Sequence, residues 1–153
     1  MRGRISKPSD TAKSTRKIAF RLMNAFCGSN ANVCISPLSI SIALQLLLSG
    51  ASGNTLQEMI KALDIESSGR DGLAEDYKIA MARLHEEDNG SARVIFSVAN
   101  LIVANQGVLL HPGFIEFLQR NYAAEAGSEN FADPQTVLQI NAWVSAKTFG
   151  RIP

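Results

Sequence analysis

At 153 residues, with 46% hydrophobic and 19% charged side chains, the chain holds one domain's worth of polypeptide and enough apolar material to bury a core, which excludes an intrinsically disordered protein. A net charge of +1 and two cysteines exclude a uniformly basic polyanion binder and a disulfide-stapled scaffold. The charge is uneven: seven of the 15 basic residues lie in the first 21 positions, leaving 8 basic against 13 acidic residues in the remainder.

The opening MRGRISKPSDTAKS has no apolar segment of the kind a secretory signal requires, so no export signal is expected, and a cytoplasmic chain follows from that reading. Arg2, Arg4, Lys7, Lys13, Arg16, Lys17 and Arg21 read as a frayed terminus followed by a solvated helix face, rather than as a nucleic-acid or lipid surface. A helix is expected from Ser9 or Asp10, with Ala19, Leu22, Met23 and Phe26 inward and Gly28 ending it. Cys27 and Cys34 read as free core cysteines.

The stretch NVCISPLSISIALQLLLSGASGNTLQEMIKALD is the most informative. Val33, Cys34 and Ile35 suit a short covered strand. Ser36 can cap a helix through its hydroxyl, and Pro37 fits the first helical position, where its missing N–H has no partner to lose. The run from Leu38 to Leu48 is apolar on every face apart from Ser39, Ser41 and Gln45, which predicts a helix buried all round. About twelve residues at roughly 1.5 Å each reach about 18 Å, too short for a bilayer, so the helix belongs in a core. Gly50 and Gly53 turn the chain, Asn54 with Gln57 suggests a capping box, and Leu56, Met59, Ile60 and Leu63 give a second helix one apolar stripe.

Glu66 to Gly72 reads as a loop, and Leu73, Tyr77, Ala80, Met81 and Leu84 mark a third amphipathic helix. HEEDNGS reads as a loop containing a formal glycosylation acceptor at Asn89. Arg93 to Ala104 is apolar on both faces, as expected of a strand inside a sheet covered on both sides, and Asn105-Gln106-Gly107 closes it. Pro112, Phe114, Phe117, Leu118 and Tyr122 predict another helix, and Glu125 to Phe131 an edge strand. Asp133 caps a last helix with Pro134 at its first position; Val137, Ile140 and Val144 face inward and Gly150 ends it.

No catalytic constellation emerges. His85 and His111 have no nucleophile or base beside them in sequence, GASGNT lacks the Lys-Ser/Thr ending of a phosphate loop, and Glu86, Glu87 and Asp88 read as a solvated run. No metal, cofactor, nucleic acid or membrane is expected.

The segment from Asn32 to Leu63, followed in order by ANLIVAN, LLHPGFIEFLQRNYAAEAGSENF and INAWVSAKTFGRIP, closely resembles the serpins, the serine-protease inhibitors. The resemblance runs from about Lys13 to Pro153 and implies a mixed α+β fold: the N-terminal helical region of a serpin with the first strands of its main sheet, an incomplete domain. Residues 1–12 are then a basic, disordered N-terminus, and 13–153 the first part of one serpin domain. Serpins trap a serine or cysteine protease when an exposed loop is cut and inserts as an extra strand into the main sheet, releasing stored strain. By resemblance, Ser36, Ser39 and Asn141 match the family's shutter, whose small polar groups bond to separating strands and leave room for a third. Without the resemblance, Ser36 is a helix cap and Asn141 a core amide.

The family's reactive loop lies near the carboxyl end, outside these residues, so this polypeptide alone is expected not to inhibit. An apolar strand lacking a neighbour implies self-association or pairing with the missing portion of a serpin. The alternatives are a shortened serpin that works as an interaction or complementing fragment, and an unrelated α/β protein. Family habit makes an extracellular location the alternative to a cytoplasmic one.

Overall fold

The computed structural model describes residues 9–27, 32–65, 69–87 and 97–152, and for residues 85–87 the backbone alone. The chain forms two compact units, Met1–Met81 and Ala82–Pro153.

In the first unit, helix α1 (Asp10–Phe26) begins where the Ser9 hydroxyl accepts the Ala12 N–H at 3.2 Å. The helix thus begins where it was expected, at Ser9 and Asp10. Thr11, Ser14 and Ile18 form its buried stripe, with Leu22 beside it. Met23 and Phe26, expected inside, are 57% and 44% exposed, because the face that meets the next helix runs through 11, 14, 18 and 22 instead. The expected end at Gly28 lies outside the described residues.

Val33 to Ile35 do not form the expected strand: a strand exists only by pairing, and among the described residues none lies alongside. Cys27 and Cys34 are free as expected but exposed, not in the core. Helix α2 (Pro37–Gly50) follows, capped by Ser36 and carrying Pro37 at its start. Its burial departs from an all-round buried helix. Ser41, Gln45 and Ser49 are buried together with Ile42, Leu46 and Leu48, whereas Leu47 is 56% exposed. Of this polar stripe α1 covers Ser41 and Gln45, while the Ser49 hydroxyl donates to the Gln45 carbonyl at 2.8 Å.

Helix α3 (Gly53–Leu63) has Ser52 at its N-cap, with the Leu56 N–H bonded to the Ser52 carbonyl. Asn54 is not the expected cap: it sits inside the first turn, and no side-chain cap bond forms. Its stripe is as expected, Leu63 buried and Leu56, Met59 and Ile60 packed on the core. Helix α4 (Gly69–Glu87) takes in residues expected in loops at both ends, 69–72 and 85–87. Asp88 and the Asn89 acceptor lie outside the described residues. The core of this unit is Ile18, Leu48, Leu63, Ile65 and Leu73. A fully buried leucine contributes about 1.5–3 kcal/mol relative to an exposed one, so this cluster holds the four helices more firmly than their surface pairs do.

In the second unit, strand β1 (Leu101–Asn105), helix α5 (Pro112–Tyr122) and strand β2 (Glu125–Glu129) make a β-α-β unit with parallel strands, paired from Leu101↔Glu125 to Asn105↔Glu129. The strand expected from Arg93 is shorter. Residues 93–96 lie outside the described residues, and 97–100 have no strand beside them because β2 offers only five positions. Leu101 to Ala104 are half-buried, not covered on both sides. Strand β2 is the exposed edge its composition predicts. Helix α5 starts at His111, whose Nδ1 accepts the Gly113 N–H at 3.1 Å, and buries Leu118 and Tyr122. The Tyr122 carbonyl accepts the Asn100 side-chain N–H at 2.9 Å, pinning the end of α5 to the approach of β1.

Helix α6 (Pro134–Lys147) begins as expected: the Asp133 carboxylate accepts the Gln135 N–H at 2.9 Å and Pro134 takes the first position. Thr136 is its buried residue; Ile140 and Val144 are half-buried, and Val137, expected inside, is 59% exposed. The cap is Thr148, and Gly150 (φ 75°) closes the turn through its N–H to the Ser145 carbonyl at 2.8 Å.

Candidate functional site

Ser36 has extended backbone (φ −110°, ψ 96°), as an N-cap must, so its side chain faces the free N–H groups of the α2 first turn. Its hydroxyl accepts the Ser39 N–H at 3.3 Å and lies 2.8 Å from the Ser39 hydroxyl. Pro37 between them fixes the turn and removes a competing donor. The outcome is a pair of adjacent, exposed hydroxyls on a rigid helix start. A hydroxyl has one donor and two acceptor positions, so the pair keeps hydrogen-bonding capacity for backbone groups brought against it.

Asn141 is exposed on α6, in the other unit, so it is not the core amide its setting in an apolar pattern suggested. Ser36 and Ser39 are thus brought together by the local fold, while Asn141 stands by itself in its unit. Among the described residues, no group of three or more His, Cys, Asp or Glu side chains is placed to hold a metal ion. His111 is engaged as the α5 cap. None of the helices in the described residues is long and apolar enough to cross a membrane.

Two side-chain groups escaped the sequence reading. One is the buried seam between α1 and α2: Ser41 Oγ donates to Ser14 Oγ at 3.5 Å, and Gln45 Nε2 donates to Thr11 Oγ1 at 3.4 Å and Ser41 Oγ at 3.3 Å. Asp76 on α4 accepts the Thr11 N–H at 3.3 Å and extends it. Small polar residues repeating every four positions in an apolar helix were the available signal. The other is on the second unit, where Glu125 on β2 accepts the Trp143 indole N–H at 2.9 Å and pairs with Lys147 at 2.6 Å. The Lys147 hydrogen bond, and after it the Trp143 one, hold the Glu125 carboxyl below the usual carboxylate range. Beneath that corner, a cleft of about 230 Å³ is lined by Leu101, Val103 and Ala126 of the sheet and by Gln139 and Ile140 of α6.

A helical region leading into a parallel β1-α5-β2 unit with α6 fastened to its second strand is the arrangement found at the start of one known family. The model of that family, described as Serpin (serine protease inhibitor), matches residues 13–153. The chain belongs to the serpin family.

Leukocyte elastase inhibitor of Sus scrofa is 34% identical over 148 residues, which cover 94% of this chain and 37% of that protein. Serpin A3-2 of Bos taurus is 33% identical over 146 residues, covering 92% and 35%. Among solved structures, serpin-12 of Manduca sexta matches with a TM-score of 0.77 at 26% identity, over 95% of this chain and 38% of that one. Human thyroxine-binding globulin gives a TM-score of 0.79 at 20% identity over 93% and 39%, a likeness of fold alone. The chain therefore spans little more than a third of the length of the curated relatives it matches. Its helices and two strands correspond to an incomplete serpin domain.

Proposed function

We propose that these residues are the supporting part of a serine-protease inhibitor that acts by inserting a cleaved loop into its main sheet. In that setting β1 and β2 begin the sheet that the loop enters. The match of residues 13–153 to the serpin model, with inhibitors among the relatives, carries the reading. Ser36 and Ser39 then act as shutter residues, together with Asn141 from α6. Two exposed hydroxyls on a rigid turn satisfy strand backbone groups in the closed sheet and exchange partners when a new strand enters, with no side chain large enough to block it. In the intact inhibitor, Ser36→Leu and Ser39→Leu are expected to slow loop insertion, so that more protease escapes as active enzyme with the inhibitor merely cleaved. An unchanged ratio of trapped to escaped protease removes the shutter role.

A polypeptide restricted to residues 1–153 supplies no reactive loop by family resemblance, and does not inhibit alone. Mixing it with elastase-type serine proteases and with cysteine proteases should give no detergent-resistant covalent complex; such a complex refutes the statement. A complementing role as the second reading draws support from exposed Leu47, Val137, Leu138 and Leu109, the last 92% accessible, which are apolar surfaces suited to cover by further chain. The polypeptide should then self-associate, and should bind a serpin that lacks its first portion. A concentration-independent monomer that ignores such a serpin rejects this second reading.

A further inference from the structure

Helix α6 is fastened to its unit at two ends and hollow between them. At its start, Thr136 is buried and its hydroxyl donates to the Asn130 carbonyl at 2.7 Å. Near its end, Trp143 and Lys147 both reach Glu125 on β2, and the Lys147 ammonium lies 5.6 Å from the centre of the Trp143 ring. Between these points lies the cleft of about 230 Å³, with Gln139 and Ile140 on its wall.

We propose that Glu125 is a charge-controlled clasp for the carboxyl-terminal half of α6: ionised, it draws Trp143 and Lys147 onto the sheet, and neutralised or screened, it releases them. Lys147 is the charged group that α6 turns toward Glu125, and Trp143 is the neutral donor. The residue paired with Glu125 on β1 is uncharged Leu101. Glu129 is on the same face of β2 but about 13 Å further along the strand, beyond the screening length, so Lys147 answers to Glu125. On α5, Glu116 and Arg120 pair with each other at 2.6 Å. Lys147 and Glu125 are about half exposed, at 44% and 51%, so the pair is weak enough to be opened by salt.

The direction with pH follows from the lowered Glu125 value. A group that is more acidic in the folded state contributes stability above its unfolded value, and the contribution is lost as pH falls through the folded one. The clasp is closed at neutral pH and opens only in acid below the usual carboxylate range. The proposal does not depend on the shutter, because it concerns a different group and a local readout.

Trp143 is the chain's one tryptophan, so its fluorescence reports the clasp directly. Emission of the 153-residue chain should shift to the red on acidification, with a midpoint below the usual carboxylate range. Lys147→Met should raise that midpoint toward the ordinary range, and high salt should move it the same way. Glu125→Gln, which keeps size and an acceptor oxygen, should abolish the transition. Amide hydrogen exchange supplies the second readout: in Glu125→Gln at neutral pH, amides 143–147 should exchange several-fold faster, while those in the first turn of α6 stay unchanged. A midpoint identical in wild type and Lys147→Met, an exchange increase spread evenly along the helix, or neutral-pH emission equal to that of the urea-unfolded chain overturns the proposal.

Discussion

Ser14 and Ser41 bring their hydroxyls to 3.5 Å of each other at a place where neither side chain has exposed surface. The contact sits in the middle of the α1–α2 seam, where an apolar pair would be the default. A buried hydrogen bond returns only about 0.5–1.5 kcal/mol net, so the seam sets which faces meet more than it adds stability. It also explains why Leu47 faces outward: with 41 and 45 turned toward α1, position 47 is on the opposite side of α2.

The seam is not fully satisfied, and that makes a prediction. Gln45 is fully buried, its Nε2 has two partners, and its Oε1 has none. An orphaned buried acceptor costs about 1–3 kcal/mol. Gln45→Met keeps the volume and removes both the orphan and the two long bonds, at 3.3 and 3.4 Å. Urea denaturation should place the variant within about 1 kcal/mol of wild type or above it. A loss of more than about 2 kcal/mol would mean that Oε1 has a donor.

The weight of the first unit rests on its apolar cluster. Leu73 is 1% exposed and packs with Ile18, Leu48, Leu63 and Ile65. Leu73→Ala should lower unfolding free energy by about 2–5 kcal/mol through lost transfer energy and a residual cavity. Leu47→Ala, on the exposed side of α2, should change it by about 0.5 kcal/mol or less. Equal effects at both positions in a denaturant titration would show that the burial pattern of α2 is wrong.

Much of this was legible in the residues, and the failures share a cause. Ser36-Pro37, Asp133-Pro134 and the stripe Leu56, Met59, Ile60, Leu63 depend on local chemistry, and each stands where the pattern put it. Met23, Phe26 and Val137 were placed inside from periodicity alone, which gives the face of a helix but not which neighbour covers it. The strand at Val33 to Ile35 and the full length from Arg93 required partners, and pairing is a property of two segments. The Glu125 clasp joins residues 18 apart on a strand and a helix, with no spacing rule that could reveal it. Of the residues proposed as a shutter, only Ser36 and Ser39 are close enough in sequence for their contact to be read from the chain.

The helix caps separate a correct local reading from an incorrect one. Asp133 accepts the Gln135 N–H at 2.9 Å, so Asp133→Ala should cost about 0.5–2 kcal/mol. Asn54 lies inside α3, whose N-cap is Ser52, so Asn54→Ala should be neutral or slightly stabilising, within about 0.5 kcal/mol. Thermal or urea melts of the two variants decide the matter, and a cost for Asn54→Ala as large as that for Asp133→Ala would restore the capping box.

Ala123 holds left-handed backbone, φ 48° and ψ 32°, where α5 gives way to β2. The conformation is needed there because the Ala124 N–H turns back to the Leu118 carbonyl at 3.3 Å, and Ala124, 2% exposed, must then enter the core beside Tyr122. For a residue with a Cβ this geometry costs roughly 1–2 kcal/mol. Glycine removes that cost but gives the unfolded chain more freedom, an offset of about 0.4–1 kcal/mol. Ala123 itself is exposed, so its methyl group contributes little packing that would be lost. Ala123→Gly should therefore raise unfolding free energy by about 0.5–1 kcal/mol, a gain readable as a higher urea midpoint at constant slope. A lower midpoint would mean that Ala123 is not left-handed in solution, and with it the tight joint that feeds β2 into its pairing with β1 would have to be redrawn.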